Sequence, residues 1–394
     1  MSGLLSAIAA SIAADPPEIT EAQIGAIVDE LGITGDKSRA VADAHHQYLH
    51  DRSALSDAVN ALTAWNRSIM PDRYHILDAE EQRQQAAERW MTWEMRSRRQ
   101  LRDRDHQFYR DLAHAFPEHA GAIIEIERQR WRQWQPNLRA ELHVAPDLRP
   151  ALDSTGFACK TAPAADPIKI MLLSYEDAVH HRLHALADLI NLIEVRGLPL
   201  PRVNVLIRAG DDAGAASAGE AYIAGMMKLV REVLAIRQAR QLSISEIAAA
   251  LSPERSAKFE QVAAVQSEWY LAELRELAAL LDRINTSDDR VIQQHAGKLE
   301  RIRTDFRRWS QSAEAQLRQK ARPLASPSTW EEQFRADVAR TVQWASTDEV
   351  PDDEKGSPIA EFRAAIAAAT QQCQQYREEL SALIGEQKLR RLAK

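Results

Sequence analysis

Leu251-Ser-Pro-Glu-Arg-Ser-Ala-Lys-Phe-Glu260, with the run that follows it to Lys320, carries the most legible helical pattern in the chain. Ser252 suits a helix N-cap, Pro253 suits the first helical position because its missing N–H would be unpaired there, and Glu254 favours the positive end of the helix dipole. Phe259, Ala263, Gln266, Tyr270, Leu274, Leu277, Leu281 and Ile284 then step by three and four residues, which lays them along one helix face. Asn285-Thr-Ser-Asp-Asp289 has the composition of a turn. Beyond it Ile292, His295, Leu299, Ile302, Phe306, Trp309, Ala313 and Leu317 form a second stripe. Two long stripes joined by a short turn predict an antiparallel helical hairpin packed like a coiled coil. One polar residue interrupts each stripe, Gln266 and His295, and a buried hydrogen bond between them is expected if the stripes are placed correctly.

The rest of the chain repeats this kind of pattern, so the fold class expected is all-α, an extended bundle or array of long antiparallel hairpins. Residues 1–14 are apolar and small enough for a helix, which Pro16-Pro17 ends. A short helix with Ile24, Ile27 and Leu31 closes at Gly32, and a longer one runs to about Trp65. Residues 78–142 read as a hairpin bent at Phe116-Pro117, since the residue before proline is driven out of helical geometry. Pro146, Pro150, Pro163, Pro167 and Gly156 mark 144–167 as a connector. It divides an N-terminal half, 1–143, from a second half, 168–322, that contains hairpin 253–320. Within that half 168–195 is helix, Val203–Ile207 an extended segment, 210–217 a loop and 219–240 a helix. Residues 323–394 supply C-terminal helices around an acidic, Pro-containing, mobile loop at 346–358. The order medium helix, long helix, return helix occurs at 37–65, 79–115, 118–142 and again at 219–240, 253–284, 288–320, which suggests an internal duplication.

Composition narrows the function classes. A net charge of −7 argues against a protein built to hold nucleic acid. Two cysteines exclude a disulfide framework and a cysteine-based zinc cluster. No run approaches the ~20 apolar residues of a spanning helix. Residues 1–14 lack the basic n-region of a secretory signal, so a cytoplasmic location is favoured over export.

Three clusters could carry chemistry. Glu176, Asp177, His180, His181 and His184 stand within two and a half turns of one helix, with Asp188 a turn further on. Histidines at i and i+4 share a face and could hold a metal ion with carboxylate help, so these five are the candidate metal ligands. The alternative is a solvated face with acid–histidine pairs inside the helix. Arg96, Arg98, Arg99, Arg102 and Arg104, with Arg128, Arg130 and Arg132, alternate with Trp90, Trp93, Trp131 and Trp134, a composition that could bind single strands. Acidic residues in the same helices offer the plainer reading, a salt-laced face with the tryptophans packed inside. Leu242–Leu251 is similar to the first helix of a helix-turn-helix, although the helix after it is too long to be a recognition helix. No phosphate loop, nucleophile elbow or catalytic cysteine pattern is present, and no cofactor is expected.

The opening string Leu251-Ser-Pro-Glu-Arg resembles the Leu-Thr-Pro-Glu-Gln openings of the Spy-like LTxxQ group of bacterial helical proteins, and Leu77-Asp-Ala-Glu-Glu-Gln echoes it. It departs at two places, Ser for Thr and Arg for Gln. The resemblance implies a bent helical hairpin and a chaperone or stress-sensor role, and transfers no functional residue. The function expected is therefore non-enzymatic: amphipathic hairpin surfaces presented to other proteins or to further copies of the chain. A metal-binding bundle at Glu176–Asp188 and a nucleic-acid face at Arg96–Arg104 are the alternatives.

Overall fold

The computed structural model describes residues 18–69, 80–134, 145–159, 162–163, 165–195, 199–287, 289–347 and 356–393. The expected helix at 1–14, the break at Pro71, the continuation of the return helix from 135 to 142, and most of the acidic loop at 346–358 lie outside them. Among the described residues there are fifteen α-helices and no strand: α1 Glu21–Glu30, α2 Asp36–Ile69, α3 Glu80–Ala115, α4 Ala120–Gln133, α5 Arg149–Ser154, α6 Pro167–Val195, α7 Pro199–Arg208, α8 Asp212–Ala250, α9 Pro253–Ser267, α10 Ala272–Asn285, α11 Arg290–Gln294, α12 Ala296–Ala321, α13 Pro327–Thr347, α14 Pro358–Ile384 and α15 Glu386–Ala393. The all-α expectation holds.

The chain forms two compact units, residues 1–149 with 158–250, and 150–157 with 251–394. The division falls at 250/251 and, within the proline-containing connector, at 149/150 and 157/158. It also separates α8 from the hairpin after it. The second copy of the suggested duplication is thus not one object: α8 packs on α6 and α7, inside unit 1.

In unit 1 the α1 start is a capping box, with Gln23 N donating to Thr20 Oγ1 at 3.3 Å and Thr20 N to Gln23 Oε1 at 2.9 Å. Gly32, at φ 62°, ends that helix as expected. Ile19 N donates to the Tyr48 hydroxyl at 3.1 Å and the Ile19 carbonyl lies 2.7 Å from His45 Nε2, which ties the segment before α1 to α2. Ile24, Ile27, Val41, Tyr48, Phe108, Leu112, Phe116 and Ile123 then make one core from α1 to α4. The α3–α4 corner is where Phe116-Pro117 places it, through a short 3-10 turn.

Three expectations in this unit are corrected. Val203–Ile207 is helical, within α7, because packing on α8 buries Val203 and overrides its strand propensity. Residues 212–217 are helix rather than loop: Asp211 Oδ1 accepts from Gly214 N at 2.8 Å and so caps α8 seven residues earlier than expected. Leu242–Ala250 continues α8 without a turn, so it is not the first helix of a helix-turn-helix.

In unit 2 the hairpin is present but each arm is broken. The first arm stops at Ser267, bends at Glu268 (φ −100°, ψ 53°) and resumes after a 3-10 turn over Trp269–Leu271. Ser267 Oγ donates to the Ala263 carbonyl at 3.0 Å, a back-bond that bends helices, and Arg275 Nη1 donates to the freed Val265 carbonyl at 3.1 Å. Glu268 in turn accepts from Arg318 Nε at 2.7 Å and from Arg275. The return arm breaks at His295 between α11 and α12. Ser252 takes the N-cap backbone conformation of α9, but its side chain makes no capping bond.

The Glu268–Arg318 contact also sets the register. Gln266 stands beside that level, while His295 is 23 residues before Arg318, roughly 35 Å along the helix. The expected Gln266–His295 bond is therefore ruled out by register. The stripes themselves are buried, and their third wall is α14. Leu274, Leu277, Leu281 and Ile284, with Leu299, Phe306 and Leu317, close on Ala369, Cys373, Leu380 and Ile384. The last helix expected over 359–391 is two, α14 and α15, parted at Gly385 (φ 84°).

Candidate functional site

Helix α4 carries Glu125, Glu127, Arg128, Arg130, Trp131 and Arg132 within eight residues, and a helical period splits them between two neighbours. Residues 127 and 130 face α3, and residues 128 and 132 face α6.

On the α3 side, Asp105 is the acceptor at the centre. Its Oδ1 takes the Tyr48 hydroxyl at 2.9 Å and also Arg52, and its Oδ2 takes Arg130 Nη1 at 3.0 Å. One turn away His106 Nδ1 lies 2.6 Å from Glu127 Oε1. Burial raises the Glu127 carboxyl, against the pull of His106 and two arginines. Burial likewise pushes the Tyr109 hydroxyl up to about 12. On the α6 side, Glu176 is wholly inaccessible to solvent. Arg149 grips it with two bonds, Nε to Oε1 at 2.7 Å and Nη2 to Oε2 at 2.8 Å, and Arg132 Nη1 lies 3.2 Å from Oε2. Glu125 closes the group, accepting from Arg132 Nη2 at 2.7 Å and from Arg149.

Burial raises the Glu176 carboxyl, and the Arg149 bonds and the Arg132 charge hold it back. Burial acts to lower Arg149, but its bonds to Glu176 and the charges of Glu176 and Glu125 outweigh it, so that guanidinium is held above its ordinary value. The cluster ties Arg149, the first residue of α5, to both α4 and α6, and the Tyr175 hydroxyl fastens the segment before α5 by donating to the Pro146 carbonyl at 2.6 Å.

These contacts decide the sequence-based candidates. Glu176 is enclosed by guanidinium groups, and Asp177 accepts from Arg128 at 2.9 Å. His181 is exposed, its Nδ1 2.9 Å from the Asp177 carbonyl oxygen. His180 and His184 instead turn to Trp131, with ring centroids 6.2 and 3.8 Å from it and 4.6 Å from each other. The five expected ligands are thus divided among arginines, solvent and a tryptophan. Among the described residues no group of three or more histidine, cysteine or carboxylate side chains is placed to hold a metal ion. The physical reason is that the carboxylates find guanidinium groups closer to hand than the imidazoles.

The arginine face is divided in the same way. Arg96 and Arg99 are exposed, whereas Arg102 is buried on Asp188, and Arg104 reaches Asp51 at 2.8 Å. Arg130 and Arg132 belong to the buried clusters above, and Trp131 and Trp134 are buried beside them. Trp90, Trp93 and Arg98 lie on α3, but nothing is described of their side chains. Sequence reasoning missed the role of Arg130, Arg132, Arg149 and Asp105. One signal was present: Ile123, Glu127, Arg130 and Trp134 share a helical stripe, so charges interrupt a face that is otherwise apolar.

The chain matches no family model, no curated protein and no solved structure.

Proposed function

We propose that the chain is a non-enzymatic helical protein that presents its helix surfaces to other proteins or to further copies of itself, in a chaperone-like manner. The observation that carries this reading is how the acid and base groups of unit 1 are used. Glu176 and Glu127, which desolvation would suit to proton transfer, are each bound by arginine or histidine within the core, as is Asp105. They serve as internal ties, and a frame held by such ties leaves function to its surface. Ile170 on α6 and Leu242 on α8, 53% and 59% exposed, are apolar side chains on that surface. The likeness of Leu251-Ser-Pro-Glu-Arg to LTxxQ openings points the same way. No helix of the described residues is long and apolar enough to cross a membrane.

The test is light scattering from a heat-unfolding model enzyme at rising ratios of this protein, with the mass of the free protein measured by light scattering after size exclusion. Suppressed aggregation, or a mass above one chain, is expected. Unchanged aggregation together with a strictly monomeric mass would sink the reading.

A further inference from the structure

His180 and His184 sit one turn apart on α6, packed against Trp131 of α4, where their charge state bears on whether the two helices hold together. His184 lies over the Trp131 ring at 34°, and His180 meets it edge-on at 90°. His180 Nδ1 is buried with no hydrogen-bond partner among the described residues. A neutral ring tolerates that as a bare lone pair on Nδ1. A protonated ring would have to bury an N–H with no acceptor.

The surrounding charges are mostly positive. From α4, Arg128 and Arg132 act on His180, while Arg132 is already committed to Glu125 and Glu176. From α3, Arg102 and His106 act on His184. On α6 itself, His181 adds to the repulsion, Asp177 is bound to Arg128, and Asp188, which favours a charged His184, is bound to Arg102. On the α8 side, Glu232 is bound to Arg182. A charged His184 over the indole face would gain a cation–π attraction, but a charged His180 would bury an Nδ1–H with no acceptor.

We infer that His180, His184 and Trp131 form an acid-sensitive latch that holds α4 to α6 while both histidines are neutral and loosens when they are protonated. Burial, followed by the neighbouring His184 charge for His180 and by Arg102 for His184, pushes the two imidazoles down to about 3 and about 4. Both folded values lie below the ordinary ~6.5, so the contribution is complete above pH ~6.5 and is lost as pH falls from there towards 4. Glu176 and Glu127, raised by burial, take up protons in the folded state and act in the opposite sense. A comparison of variants is therefore needed to isolate the histidines.

The experiment is urea unfolding of the full chain between pH 7.5 and 5, wild type beside His180→Asn/His184→Gln. The wild-type folding constant should fall, relative to the variant, by about tenfold per histidine for each pH unit below ~6.5. Equal slopes would overturn the latch. If the double variant does not fold, histidine NMR of the wild type, assigned through the single variants, decides the matter. Both rings should remain neutral at pH 5 in the folded protein, and the loss of amide protection in α4 and α6 on acidification should be smaller in each single variant than in wild type. Ordinary titration near pH ~6.5, or the same loss in wild type and variants, would overturn it.

Discussion

Removing the charge from Glu176 while keeping its size leaves Arg149 and Arg132 facing a neutral amide in a place that water does not reach. Breaking a buried ion pair on one side costs about 3–5 kcal/mol, because the partner's desolvation is no longer offset. Glu176→Gln should lower the urea-unfolding free energy of unit 1 by that amount. A loss below ~1 kcal/mol would mean that the cluster is wetter than its burial implies. Replacing Glu176, Arg149 and Arg132 together by apolar residues should recover much of the loss, since no orphaned charge would remain. This is also why the site was hard to find in the sequence. A pattern of charged residues predicts a solvated face, and only tertiary packing makes Arg132 one of the largest fully buried side chains. The α6 cluster was legible as a place, through its density of titratable residues, but its chemistry was not. The partners of Glu176 come from α4 and from Arg149, positions 27 to 44 residues earlier in the chain, which helical periodicity cannot link.

The elements themselves were largely legible, because stripes with a three-four spacing, caps and prolines are local signals. Breaks inside a stripe were not. Ser267-Glu268 continues the helical pattern in composition, and the bend depends on Arg318, fifty residues away, reaching Glu268. Gly385 is a break of the other kind, one that backbone geometry alone requires. At φ 84° and ψ 140° it holds a conformation that side-chain-bearing residues rarely adopt, between α14 and α15. A Cβ there would meet no atom within 4 Å, so the penalty of Gly385→Ala is backbone strain rather than collision. It should amount to about 1–3 kcal/mol. Because Leu389 and the Lys388–Asp289 ion pair dock α15 onto the unit 2 core, hydrogen exchange should show α15 fraying first. Unchanged exchange in α15 would mean that the turn relaxes into another geometry without strain.

Each unit has its own closed core. In unit 1, aromatic and aliphatic side chains from α1 to α4 stand beside the arginine–carboxylate clusters, and in unit 2 leucine-rich stripes from α10, α12 and α14 close on Cys373. The charged ties described for α3, α4 and α6 begin and end inside unit 1, and Arg377–Glu273, Lys388–Asp289 and Arg318–Glu268 begin and end inside unit 2. Units with separate cores unfold as separate cooperative transitions unless the contact between them is large and apolar. Glu176→Gln and Gly385→Ala together make this measurable. In a urea titration followed by residue-resolved hydrogen exchange, the first variant should shift protection across residues 18–134 and 158–250 and leave 272–321 and 358–384 in place. The second should do the reverse. Effects on distant, independent sites add, so the double variant should show both shifts, each within about 0.5 kcal/mol of its single value. If either variant alone moves protection in both units equally, the chain unfolds as one cooperative body and the division at residue 250 has no energetic meaning.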